Sequence, residues 1–205
     1  MQAFSGYCTG MEEIAPGIRH WTAKHPKIKM DVSSYWLPSL GVLLDPLAVP
    51  EEVDQVGEII LVNRHHFRDA LEARERLGAT IRAPRAGAHE FDDGDPVEFY
   101  DFEEELAGGA ITPHQVTELW HDDSALHIPS LSALAIADTV VKFGETDDLQ
   151  LVPDDLMGDA EAEKRAILDG LAALAERLEF DHLLLAHGTP VIGDGRDRLR
   201  AFAAS

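Results

Sequence analysis

The sequence predicts an α/β protein in which two β-sheets pack together and helices cover the outside. Three observations predict it. Short apolar runs with strand character fill the first two thirds of the chain. The apolar period turns helical in the last third. Ionisable residues stand just past the ends of several apolar runs, where the loops of a layered fold converge.

Taken in order, residues 17–23 (GIRHWTA) read as a short strand, and residues 33–47 (SSYWLPSLGVLLDPL) as a hairpin ending at Asp45-Pro46. The run 58–63 (EIILVN) is apolar and bounded by polar residues, as expected of a strand covered on both faces. A helix follows from Arg68, carrying Ala70, Leu71, Arg74 and Leu77, and Gly78 stops it. Residues 79–84 (ATIRAP) form the next strand. Asp93-Gly94 signals a turn before a strand within 91–102. The segments SALHIP and SALAIADTVV, separated by a polar turn at Ser130, make a second hairpin. Ile167, Leu171, Leu174 and Leu178 then mark one face of a helix over 159–178. DHLLLAHG is a strand ending in a His-Gly turn, and RDRLRAFAA closes the chain as a helix.

A chain of 205 residues suits one domain, 1–205, and 45% apolar residues suffice for a core. No apolar run approaches the ~18–20 residues of a membrane span, so no membrane partner is expected. The start, MQAFSGYCTGMEE, has neither a basic nor an apolar stretch and does not read as a signal peptide. The single cysteine, Cys8, excludes an internal disulfide and a Cys-rich zinc site, and a cytoplasmic location is the expectation. The net charge of −21 repels phosphate backbones, which argues against a nucleic-acid partner.

Chemistry concentrates at three strand ends: His65, His66 and Asp69 after ILVN, Asp138 after ALAIA, and His187 after LLLA. Histidine and aspartate together suit zinc, iron or manganese. Neighbouring arginines argue the other way, because a guanidinium is never an ordinary metal ligand.

The order of these pieces resembles the metallo-β-lactamase superfamily. An early strand ends at Asp45-Pro46. Strand, His-rich loop, helix and strand follow over 58–84, and Ala137-Asp138-Thr139 stands where that family has Gly-Asp-Thr. Ala186-His187-Gly188 stands for Gly-His-Gly. The resemblance runs from about Ile14 to the C-terminus. It implies a four-layer αββα sandwich of two mixed β-sheets with outer helices. It also implies a metal centre on His66, Asp138 and His187, with His121 as the weaker fourth ligand because no Pro-Gly precedes it. The family's metal loop, Thr-His-x-His-x-Asp-His, falls on residues 63–69, where only His66 keeps a ligand type in place. Arg64 and Arg68 take a histidine and an aspartate position, and Asp69 takes a histidine position.

A full dinuclear centre is therefore not expected; the alternatives are one divalent ion, zinc, iron or manganese, and altered or lost metal binding. The guanidinium groups of Arg64 and Arg68 are expected to replace some of the missing metal charge, with Arg64 within hydrogen-bond reach of Asp138 or Asp69. The competing assignment makes His66 and His187 a hydrogen-bonded polar cluster, Asp138 a salt-bridge partner of the arginines, and Asp69 a helix cap. His121, Asp122 and Asp123 resemble a turn before a strand. Trp21, Tyr35, Trp36 and Trp120 are core, or line an apolar pocket.

Two functions follow. One is a hydrolase of a small ester, thioester, lactone or amide, with Asp138 and His66 catalytic. The other is a metal-free, non-catalytic protein that binds a small anionic ligand or a protein partner through Arg64 and Arg68, with Asp69 a further binding candidate. Exposed aromatics near the N-terminus could pair two chains as a homodimer.

Overall fold

The computed structural model describes residues 10–144 and 146–205. Cys8, Phe4 and Tyr7 lie outside the described residues. Among the described residues twelve strands form two sheets. The seven-stranded sheet runs in chain order: β1 (Glu12–Ala15), β2 (Ile18–Lys24), β3 (Asp31–Leu37), β4 (Val42–Leu44), β5 (Glu58–Ile60), β6 (Thr80–Pro84) and β7 (Val97–Tyr100). Its first four strands pair antiparallel and its last three add in parallel. The second sheet contains β8 (Thr112–Gln115), β9 (Ser124–Ile128), β10 (Ala133–Ile136), β11 (His182–Leu185) and β12 (Val191–Ile192). Its order is β12-β11-β10-β9-β8, with only β10 and β11 parallel. Both sheets are mixed.

Alternation along the strands divides most of the apolar side chains among three large cores, and Ala23, Val32 and Leu47 form a fourth, small one. Val42, Leu44 and Ile60 point inward, where they meet Leu126, Ala133, Ala135 and Leu184 between the sheets. Leu43 and Ile59 point outward beneath α1 (Ala70–Leu77). Leu134, Ile136, Leu183 and Leu185 point outward beneath α2 (Ala160–Arg177) and α3 (Gly195–Ala203). The layers are thus helix, sheet, sheet, helix. This double coverage is why the central runs are continuously apolar rather than alternating with polar residues. No helix among the described residues is long and apolar enough to cross a membrane.

Several expectations shift in detail. Ladder pairing in β5 stops at Ile60, although Leu61 still donates to the Arg82 carbonyl at 2.9 Å. Helix α1 begins at Ala70 and buries Ala70 and Ala73, whereas Leu71 faces solvent. Ile167, Leu171 and Leu174 are buried on α2 as the period predicts, and the Asp159 side chain caps that helix by accepting from the Ala162 N–H at 3.1 Å. Trp21, Tyr35 and Trp36 are core residues.

At one edge of the sandwich the two sheets are joined directly. The Ser124 N–H donates to the Val62 carbonyl, and the Ser33 N–H to the Ala186 carbonyl, each at 2.9 Å. The Tyr35 hydroxyl donates to the Leu185 carbonyl at 2.7 Å. The ends of β5, β10 and β11 meet at this edge.

Candidate metal centre

The loop after β5 makes a short 3-10 helix, Arg64–Phe67, that Asn63 caps by accepting from the His65 N–H at 3.0 Å. This turn carries His66 inward. On its Nδ1 side lies Asp45, 2.8 Å away; on its Nε2 side lies Asp138 Oδ1, at 3.2 Å. His187 Nε2 reaches the same oxygen at 3.1 Å. One ligand atom from each of His66, Asp138 and His187 falls within 4.8 Å of the others, so this trio could hold a metal ion.

The second oxygen of Asp138 accepts from Asn63 Nδ2 at 2.9 Å, and the same amide donates to Asp123 Oδ1 at 3.0 Å. Asp123 is buried, and its other oxygen accepts from the Thr139 N–H at 2.8 Å. The turn after β11 depends on Gly188. Its φ is 93°, and a Cβ there would stand 2.3 Å from the Lys142 carbonyl oxygen.

Charge follows this geometry. Burial pulls the His66 imidazole down, but Asp45 raises it, Arg68 opposes and Asp138 raises it again; the balance lies at about 9. Burial pushes Asp138 up, and His66 and His187 overcome that, holding it well below the usual carboxylate range. Burial and then the Asp138 charge push Asp123 up to about 7.

The arginines sit elsewhere than the sequence suggests. Arg64 Nη1 forms a close ion pair with Asp122, and the Arg64 N–H donates to Asp122 Oδ2 at 3.0 Å. Its expected partners, Asp138 and Asp69, are not the ones it takes. The reason is local: Asp122 is buried against the same loop, with Gly87 packed behind both residues. Arg68 Nη1 donates to the Ser33 and Asp45 carbonyls at 2.9 and 3.0 Å, so it braces backbone rather than a carboxylate. Arg64 Nε and Arg68 Nη2 are buried without hydrogen-bond partners, although Arg64 Nε lies 3.9 Å from Glu90 Oε1. Asp69 turns away from the centre, and its Oδ2 accepts from the Ala48 N–H at 2.7 Å; it makes no side-chain cap on α1. His121 is exposed, with its ring stacked 6.0 Å from that of His89, and it lies outside the trio. His65 is exposed as well.

Asp45, Asn63, Asp122 and Asp123 shape the site although sequence reasoning treated them as turn or strand-end residues. A signal for Asp45 was present. It follows the buried run GVLL as Asp138 follows ALAIA, and a carboxylate at such a place needs a partner.

His66, Asp138 and His187, with Asn63, Asp122 and Asp123, form the floor of a cavity of about 890 Å³ lined also by His25, Met30, Leu119, Trp120 and Phe143. No protein-family model matches the chain, and no curated protein sequence matches it. Among solved structures, the chain is similar to the DIM-1 metallo-beta-lactamase, at 12% identity and a TM-score of 0.72 over 98% of this chain and 99% of that one. It is also similar to a metallo-beta-lactamase from Pontibacter korlensis, at 15% identity and a TM-score of 0.65 over 96% and 99%. A third similar structure is a mutant flavo di-iron protein from Thermotoga maritima, at 17% identity and a TM-score of 0.65 over 95% of this chain and 60% of that one. The chain has the metallo-β-lactamase fold.

Proposed function

We propose that this protein is a hydrolase of a small ester, thioester, lactone or amide that works with one divalent ion, zinc, iron or manganese. The observation that carries it is Asp138 Oδ1, which lies 3.2 and 3.1 Å from the Nε2 atoms of two buried imidazoles at the floor of a large cavity. Ligand separations of this size suit a four-coordinate ion with bonds of ~2.0–2.2 Å. The Asp45–His66 hydrogen bond is the outer-shell support that metal-binding histidines require. Among the described residues a second ion has no comparable ligand set, and Arg64 and Arg68 occupy positions that the family resemblance assigns to ligands.

A bound divalent ion supplies Lewis acidity, polarising a carbonyl and acidifying a water. The protein supplies the rest. Asp45 holds the His66 proton at Nδ1, so that Nε2, which lies 3.2 Å from Asp138 Oδ1, is the nitrogen that would give up its proton to an ion. Asn63 holds Asp138 Oδ2, which leaves Oδ1 facing both histidines. The cavity walls hold the substrate and limit bulk water. In the overall reaction a water oxygen bonds to the acyl carbon, and the bond to the leaving oxygen, sulfur or nitrogen breaks. One water proton goes to the leaving group and the other is released.

Protein purified untagged and without chelator should contain about one equivalent of metal. It should cleave at least one member of a panel of nitrophenyl esters, thioesters, lactones and anilides, and lose that turnover on chelation. Protein with neither metal nor turnover would overturn the proposal. A second reading, a metal-free binder of a small anion, is favoured by the buried Arg68 Nη2, which has no hydrogen-bond partner. It predicts no metal, together with calorimetric binding of a small carboxylate or phosphate.

A further inference from the structure

The mouth of the cavity carries an apolar rim. Six large hydrophobic side chains are exposed among the described residues, and four of them, Ile28, Met30, Leu119 and Leu156, line this one cavity. They come from three separate stretches of chain: the turn between β2 and β3, the short 3-10 helix Glu118–Trp120, and the segment before α2. Leu119 and Leu156 are 53% and 66% exposed. Each such side chain loses stabilisation by facing water, and singly they need no explanation. Convergence of four around one opening does, on a chain whose net charge is −21.

We infer that the rim receives the apolar acyl portion of the substrate, a chain of several carbons or an aromatic group of that size, while the bond to be cleaved lies at His66, Asp138 and His187. This rests on the hydrolase reading for the position of the scissile bond. The rim is continuous with the centre through Trp120, Phe143 and Val152, which line the same cavity. Phe143 packs edge-on to His187, with ring centroids 6.2 Å apart. An acyl group held along this path would bring its carbonyl to the floor. The cavity volume of about 890 Å³ is within the range of small-molecule sites, ~300–1,000 Å³. A short polar acyl group would leave the rim in water and gain nothing from it.

The test uses non-reacting and reacting probes on the full chain. Octanamide and acetamide are titrated by calorimetry, and p-nitrophenyl octanoate and acetate are compared by kcat/KM. Each buried methylene contributes about fourfold, so octanamide should bind at least ~100-fold tighter than acetamide. Leu119→Ser combined with Leu156→Ser should reduce that preference, and the octanoate-to-acetate ratio, by about tenfold or more. Leu71→Ser with Ile192→Ser, exposed elsewhere, should leave both unchanged.

Octanamide binding that is absent, or that survives the rim variant intact, overturns the inference. Equal turnover of the two esters also overturns it and leaves the hydrolase reading standing. Octanamide binding lost in the rim variant, without turnover of either ester, keeps the apolar site, and the hydrolase reading then falls if the thioesters, lactones and anilides are not cleaved either. A dimer that the rim variant splits, with no octanamide binding, would assign the rim to a second copy of the chain and overturn the inference.

Discussion

On one side of the cavity floor a carboxylate, Asp138, lies between two imidazoles; on the other a carboxylate, Asp122, lies against a guanidinium. Both acids stand at the same end of the β9–β10 hairpin, one before it and one after it. Asp122 is buried and Asp138 half-buried. They differ in what can be exchanged. The imidazoles can give up a proton and take a cation, so the Asp138 side is open to metal. A guanidinium does neither, so the Asp122 side is closed to metal. A permanent cation built into the chain takes the electrostatic role there without offering reactivity.

The largest expected effect tests the open side. His187→Ala, or Asp138→Asn, should weaken metal binding more than ~100-fold, since removing even an outer-shell partner costs ~10–100-fold. Calorimetric titration of metal-free protein measures this, and unchanged affinity would mean that the ion sits elsewhere. On the closed side, Arg64→Ala leaves Asp122 buried and unpaired, which should cost about 3 kcal/mol in chemical denaturation. Adding Asp122→Ala should recover much of that loss. Metal stoichiometry should stay the same in both variants, and a cost near zero would make the pair an ordinary solvated one.

The support beneath the open side should depend on pH. His20 Nε2 bonds Ser33 Oγ at 3.0 Å, and that hydroxyl donates to the Gly188 carbonyl at 3.2 Å, next to His187. Burial lowers the His20 imidazole from 6.5 to about 4. The folded state therefore binds fewer protons than the unfolded state between those values. Its contribution is intact above pH 6.5 and is lost as pH falls toward 4, by about 2 kcal/mol at pH 5. Denaturation midpoints at about pH 5 and pH 7 should show this slope, and His20→Gln should flatten it. The smallest effect belongs to Gly87→Ala. Its Cβ would meet Arg64 Cβ at 2.8 Å and Asp122 Oδ2 at 3.0 Å, so it should cost about 1 kcal/mol while metal binding at the trio persists.

The fold was legible because burial on both faces leaves long apolar runs, such as EIILV and ALAIA, whose ends mark the loops. His66, Asp138 and His187 were legible for a related reason: each is an ionisable group just beyond such a run. The partners of the arginines were not legible. Asp122 and Asp123 are adjacent in sequence, yet one pairs with Arg64 and the other with Asn63 and Thr139. Local sequence makes HDDS read as a solvent turn; only the docking of the start of β9 against the end of β5 buries it. His121, one residue away, remains outside. Asp69 misled for the opposite reason. It looked like a ligand or a cap, but the backbone N–H of Ala48 claims its carboxylate.

Asn63 is attached to one sheet, while both carboxylates it holds, Asp123 and Asp138, are attached to the other. Its amide therefore works as a latch whose closure requires the two halves of the sandwich to be docked. The trio cannot be assembled by local folding of the His66 loop alone, and an opening motion that slides the sheets apart dismantles it before either sheet unravels. Cation affinity in this architecture reports sheet docking, and a bound ion would in turn slow amide exchange at Ser33 and Ser124, whose N–H groups cross the seam.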